Sequence, residues 1–157
     1  MTHSSPSVPA LSEVLQSYQA GLFGETERAA TDLTQKYPKH PFGWKILAAV
    51  YKKTGRNIDA VKANKNAVTL APQDFEAHYN LGVTLGEIGK INEAIVFYKN
   101  ALNIKKEYPD AHNNLGNIYL ALSQYELSIE HFEWAVAYKP DFAEAHNNLG
   151  IVNRTIG

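Results

Sequence analysis

An all-α stack of paired helices is the fold class this sequence predicts, and four sets of residues at one spacing predict it. Leu47, Leu81, Leu115 and Leu149 stand 34 residues apart, each followed by a small residue, Ala48, Gly82, Gly116 or Gly150. Gly21, Gly55, Gly89, Ser123 and Gly157 keep the same period along the chain. Between them run Ala60, Ala94 and Ser128, and then Ala67, Ala101 and Ala135. Self-similarity at a fixed period marks a stacked repeat array, in which each unit buries its apolar face against its neighbours. Such an array presents a surface rather than a catalytic cleft.

The elements follow in order. Residues 1–8 are rich in Ser and Pro and are read as a disordered N-terminus ahead of a repeat domain over 9–157. The domain divides into units 7–40, 41–74, 75–108 and 109–142 and a half unit, 143–157. Within 41–74, Trp44, Leu47, Ala48 and Tyr51 recur at i, i+3, i+4 and i+7, one stripe of an amphipathic helix. Gly55 supplies the left-handed residue that ends this helix. A second helix follows with Ile58, Val61, Ala67, Val68 and Leu70, closed by Pro72.

Pro41 and Pro109 stand where helices begin, a place that loses nothing from a missing N–H. Asp74 caps the helix that starts at Phe75, and Ser123-Gln-Tyr-Glu126 reads as a capping box. Helices are expected near 10–20, 24–37, 41–54, 57–71, 75–88, 91–105, 109–122, 125–138 and 143–155. Gly82, Gly116 and Gly150 fall inside helices, where each costs about 1 kcal/mol against alanine. Close approach of the paired helix, met by its alanine ladder, is the expected reason.

Composition narrows the function. The chain has 157 residues, 45% apolar and 20% charged, with a net charge of −1, so nothing electrostatic favours a nucleic-acid partner. It has no cysteine, which excludes disulfides and thiolate metal sites. The start lacks a basic n-region and an apolar run, and no stretch approaches the length of a membrane span. A cytoplasmic protein without membrane partner or cofactor is expected.

The phrases Glu76-Ala-His-Tyr-Asn-Leu-Gly, Asp110-Ala-His-Asn-Asn-Leu-Gly and Glu144-Ala-His-Asn-Asn-Leu-Gly carry a family resemblance. So do Trp44, Leu47, Ala48, Tyr51, Ala60, Ala67 and Pro72 in one unit, and Leu115, Gly116, Tyr119, Phe132, Ala135 and Pro140 in another. The chain resembles the tetratricopeptide-repeat (TPR) family, whose 34-residue pattern these residues match from about residue 10 to 157. The departures are Lys106 in place of a proline and a slipped first helix in unit 7–40. The resemblance implies an α-solenoid of antiparallel helix pairs forming a right-handed superhelix, its concave wall lined by the first helix of each unit. It also implies a scaffold or peptide-binding module.

The Asn-Leu-Gly phrases are similar to the TPR arm of O-linked N-acetylglucosamine transferases and their bacterial relatives, where asparagines grip an extended peptide backbone. Asn80, Asn114 and Asn148 match that place, and Ile46 interrupts it. An amide suits such a task because it both donates and accepts. Asn113, Asn117 and Asn147 widen the polar strip, and Tyr79 adds an aromatic contact. The competing reading is that the amides are merely solvated, or bond between neighbouring units and stiffen the stack.

Eight Lys/Arg and one acid lie between Lys36 and Lys65, against eleven acids and five bases from Asp74 to Glu144. Lys45, Lys52 and Lys53 fall on the groove face, and Lys62 and Lys65 on the outer helix. The resemblance also offers a clamp for acidic chaperone tails, built of Lys, Asn, Asn, Lys and Arg. Lys45 and Asn80 match it, but Ala49, Asp110 and Asn114 stand at the other places, so two of its cations are lacking. His78, His112 and His146 recur once per unit, too far apart to share one metal ion, and are expected to pack between helices. No catalytic or phosphate-binding motif is present.

In the half unit, Ala145, Leu149 and Val152 are expected to show an apolar stripe to water. That stripe is read either as a cut through a longer repeat protein or as a self-association face giving a homo-oligomer. Three functions remain in view: a non-catalytic module holding a protein or peptide segment in its groove, the substrate-recruiting arm of a larger enzyme such as a glycosyltransferase, and a self-associating scaffold.

Overall fold

The computed structural model describes residues 5–157. Among them are nine α-helices and no strand: α1 (Val8–Gln19), α2 (Phe23–Lys36), α3 (Phe42–Lys53), α4 (Asn57–Leu70), α5 (Phe75–Glu87), α6 (Ile91–Ile104), α7 (Pro109–Ala121), α8 (Tyr125–Tyr138) and α9 (Ala143–Ile156). Each packs on the helix before and after it, and α7 also touches α9, so the array is a TPR solenoid. No helix of the described residues is long and apolar enough to cross a membrane. Of the segment read as disordered, residues 1–4 lie outside the described residues. Helix α1 already begins at Val8, two residues earlier than expected, because Ser7 Oγ accepts the Ala10 amide at 3.4 Å.

One turn is used four times. The Arg56 amide donates to the Tyr51 carbonyl at 2.7 Å and the Gly55 amide to Lys52 at 3.2 Å, the two bonds of a Schellman motif. The same pair recurs at Leu22–Ser17 and Gly21–Tyr18, at Lys90–Leu85 and Gly89–Gly86, and at Gln124–Tyr119 and Ser123–Leu120. The motif demands a left-handed residue, and φ is +75° at Gly55 but also +57° at Ser123. This corrects the capping-box reading. Ser123 is the last residue of the α7 turn, Gln124 is the N-cap of α8, and no side chain caps that helix. Asp74 does cap α5, its Oδ1 accepting the amides of Glu76 and Ala77 at 3.0 and 3.2 Å. Pro109 opens α7, whereas Pro41 stands one residue ahead of α3.

Leu81, Leu115, Leu85 and Phe132 are fully buried, as are the alanines at 60, 94, 67, 101 and 135. Truncating such a leucine costs roughly 2–5 kcal/mol. Aromatic rings, more than the alanine ladders, explain the mid-helix glycines. A Cβ on Gly82 would stand 2.9 Å from the Tyr98 ring, and one on Gly116 2.6 Å from the Phe132 ring. A Cβ on Gly150 would meet nothing within 4 Å.

The histidines at 78, 112 and 146 each tie a first helix to the turn before it. Their Nε2 atoms donate to the carbonyls of Pro72, Lys106 and Pro140 at 3.0, 3.1 and 2.8 Å. The expected apolar stripe on α9 needs correcting too. Ala145 and Val152 are fully buried and Leu149 is half-buried, because i, i+4 and i+7 form the face that α9 turns toward α8 and α7. Its exposed apolar side chains are Ile151 and Ile156.

Candidate binding groove

The wall formed by the first helices does not offer its asparagines equally. Asn148 donates to Asn113 Oδ1 at 3.2 Å and to Asn117 Oδ1 at 2.9 Å. Asn113 is buried and donates in turn to Glu144 at 2.9 Å. Asn114 donates to the hydroxyls of Tyr79 and Tyr98 at 3.2 and 3.3 Å. Asn113, Asn114, Asn117 and Asn148 therefore have amide groups committed between helices, as the stiffening role requires. Asn147 is exposed and apart from them.

Asn80 is the exception, and its neighbours explain why. The residue 35 positions before each asparagine accepts its first hydrogen, Tyr79 for Asn114 and Asn113 for Asn148. For Asn80 that residue is Lys45, whose ammonium can only donate. The Asn80 side chain is exposed and makes no hydrogen bond to another described residue, while its carbonyl accepts from Thr84 and Asn64 at 2.8 and 3.4 Å.

A second difference opens space beside it. Tyr98 and Phe132 lie 34 apart, and 34 before Tyr98 the chain has Asn64. Asn64 is buried and donates to Thr84 Oγ1 at 3.0 Å, and it leaves unfilled the room a ring takes in the later units. The result is a pocket of about 510 Å³ lined by Tyr18, Lys45, Ala48, Ala49, Lys52, Lys53, Asn64, Asn80 and Thr84. A second hollow of about 430 Å³ shares Lys45 and Asn80 and is walled by Leu15, His40, Pro41, Phe42, Ile46 and Asp74. A third, about 340 Å³, lies between α5 and α7 around Val83, Glu87, Asn114 and Asn117.

The basic block of the second unit meets the acids of α5 and α6 and the N-cap of α5, Asp74. Lys45 pairs with Asp74 at 2.9 Å and Glu76 at 3.5 Å, Lys52 with Glu87 at 2.8 Å, and Lys65 with Glu93 at 3.8 Å. Burial raises the Asp74 carboxyl, but the Lys45 ammonium and the Ala77 and Glu76 amides bring it below its ordinary value. Lys53 lines the first pocket and makes no ion pair among the described residues. Tyr79 sits in an aromatic cluster, 4.9 Å from the Tyr108 ring and 5.7 Å from Tyr98. Burial raises all three hydroxyls, so they stay neutral.

The structure thus gathers Lys45, Lys52 and Asn80 at one pocket, Tyr79 and Asn114 in a half-buried aromatic knot, and Asn113, Asn117 and Asn148 at the α7–α9 contact. Sequence reasoning missed Asn64, Thr84, Tyr18 and the apolar wall of Leu15 and Phe42. Asn64 had a legible signal, a polar residue at an aromatic phase of the repeat.

A family model described as a TPR repeat matches residues 86–123 and 116–157. No curated protein sequence matches the chain. Among solved structures, a crystal structure of MamA is 26% identical, covering 90% of this chain and 83% of that one, with a TM-score of 0.85. The first TPR of Spaghetti (RPAP3), bound to an HSP90 peptide, is 19% identical over 74% of this chain and 92% of its own, with a TM-score of 0.71. A thermophilic TPR protein from Thermus thermophilus is 16% identical over 92% and 80%, with a TM-score of 0.74. With the repeat ladders, the helix pairs, the shared turn and these likenesses together, the chain belongs to the tetratricopeptide-repeat family.

Proposed function

We propose that this domain is a non-catalytic protein-interaction module that holds an extended segment of a partner along the wall of its first helices. The observation that carries the reading is the uncommitted Asn80 amide beside an open pocket, on a wall whose other amides are largely spent. A side-chain amide can pair with the N–H and C=O of any passing backbone. The RPAP3 domain, of the same fold, holds a peptide, which supports the reading by likeness of fold alone. The recruiting-arm alternative asks the asparagine ladder to grip a backbone, and Asn114 and Asn148 have already committed their donors. The self-association alternative is left with Ile151 and Ile156 in place of the expected stripe.

The test is a screen of capped peptides by fluorescence anisotropy, followed by amide chemical-shift mapping of the binders. Shifts along α3, α5 and α7 are the expected result. Shifts confined to α4, α6 and α8, or no binding across a broad screen, would overturn the groove reading.

A further inference from the structure

The two hollows that meet at Lys45 and Asn80 differ in chemistry, and the difference specifies a ligand. The larger is lined by Lys45, Lys52 and Lys53 and by no carboxylate. Its neighbour offers the apolar side chains of Leu15, Phe42 and Ile46. Lys45 is fixed between them by Asp74 at 2.9 Å, and Asn80 lines both. In an extended peptide, consecutive side chains point to opposite sides of the backbone. A backbone lying over the Lys45–Asn80 divider, and bonded by the Asn80 amide, therefore sends neighbouring side chains into the two hollows.

We propose that the junction of the second and third units is a two-compartment site for an extended peptide carrying an apolar residue directly beside an acidic one. The apolar side chain enters the Leu15–Phe42–Ile46 hollow. The carboxylate enters the lysine pocket, where Lys53 has no ion pair among the described residues to give up. Side-chain carboxylates suffice, so the site needs no free C-terminus on its partner.

The pocket exists because Asn64 stands where later units have a ring, and Ala48 holds the place of the glycine that seats that ring. That origin supplies the test. The site rests on the groove reading, but it commits to one place and one chemistry.

The probes are two fluorescein-labelled pools of short peptides, acetylated and amidated at their ends. One has a Leu or Phe next to an Asp or Glu at its centre, and the other has Asn or Gln in place of the acid. The wild-type chain is expected to bind the acidic pool at least about tenfold more tightly, a difference of about 1.4 kcal/mol. It should lose this preference as salt screens the lysines.

The double variant Ala48→Gly/Asn64→Tyr copies the Gly82–Tyr98 packing already present in the chain, so it fills the pocket with a side chain the fold accepts. It should weaken binding at least about tenfold with the helical signal retained. Lys53→Glu, on an exposed side chain, should reduce the preference without touching the packing. Equal binding of the two pools, or unchanged affinity in both variants, would sink the proposal. If binding persists in both with shifts moved to α7 and α9, the groove reading stands and this site is wrong. If no peptide binds anywhere, both fail together.

Discussion

The Phe132 ring lies 2.6 Å from where a Cβ on Gly116 would stand, so this glycine is the socket for a ring on the paired helix. The ring is fully buried and has no flexible end to swing aside. Gly116→Ala is therefore expected to destabilise by about 1–3 kcal/mol through overpacking. Gly150→Ala, at the same phase but with nothing within 4 Å, should stabilise by about 0.5–1 kcal/mol through helix propensity alone. Urea unfolding of the two variants checks the contrast, and the same sign for both would contradict it.

Ser123 bears a left-handed conformation that its counterparts at 21, 55 and 89 assign to glycine. The Schellman bonds from Ser123 and Gln124 force it there, against the steric cost of a Cβ. Ser123→Gly should raise stability by about 0.5–1 kcal/mol, the relief being partly offset by the greater freedom of glycine in the unfolded chain. Gly55→Ala, in open space but at φ +75°, should lose about 1 kcal/mol. Thermal melts of both variants decide the matter.

The asparagines separate into spent and free, and their variants should separate too. Asn148→Ala removes two bonds across the α7–α9 contact and strands the Oδ1 of buried Asn113, at a cost of about 1–3 kcal/mol. Asn80→Ala removes no bond within the described residues and should stay within about 0.5 kcal/mol of the parent. Its effect is expected in peptide affinity instead, as measured by anisotropy.

His112 and His131 meet nitrogen to nitrogen, their Nδ1 atoms 3.0 Å apart. His112 Nε2 must carry a hydrogen to reach the Lys106 carbonyl, so in the neutral pair His131 Nδ1–H donates to His112 Nδ1. Burial lowers both rings, and the His112 ring adds to the lowering of His131, down to about 4, while Glu130 opposes it in both. A histidine in an unfolded chain titrates near about 6.5, so in acid the unfolded state takes up protons first. The contribution is thus whole above about pH 6.5 and is lost as pH falls toward 4. His131→Phe copies Phe97, which stacks on His78 one unit earlier with centroids 6.0 Å apart, and should flatten this loss. Urea midpoints from pH 7 to about 4.5 would show it, and parallel curves for parent and variant would refute it.

The helices, their pairing and the turns at Gly21, Gly55 and Gly89 were legible because a repeat states each local rule several times. Leu47, Leu81 and Leu115 mark one buried phase, and Gly55 marks the residue that must turn left-handed. Ser123 was misread because Ser-x-x-Glu is a capping box wherever a serine is free to cap. Here the Schellman turn had already claimed that residue. The stripe on α9 was misassigned for a related reason. Periodicity says that Ala145, Leu149 and Val152 share a face, but not which neighbour covers it.

What the sequence by itself determined is the period, the helix-pair solenoid and the family, because these follow from local propensity and from apolar phases that recur at 34 residues. It also placed every candidate asparagine on the first helix of its unit. Only the tertiary structure decided which of those amides remain available. That choice depends on residues far apart in the chain, such as Tyr79 accepting from Asn114 where Lys45 cannot accept from Asn80. A hydrogen bond needs both partners in three dimensions, and a cavity is the space left by a side chain that is not there. Both are relations between units, and a repeat pattern shows each unit alone.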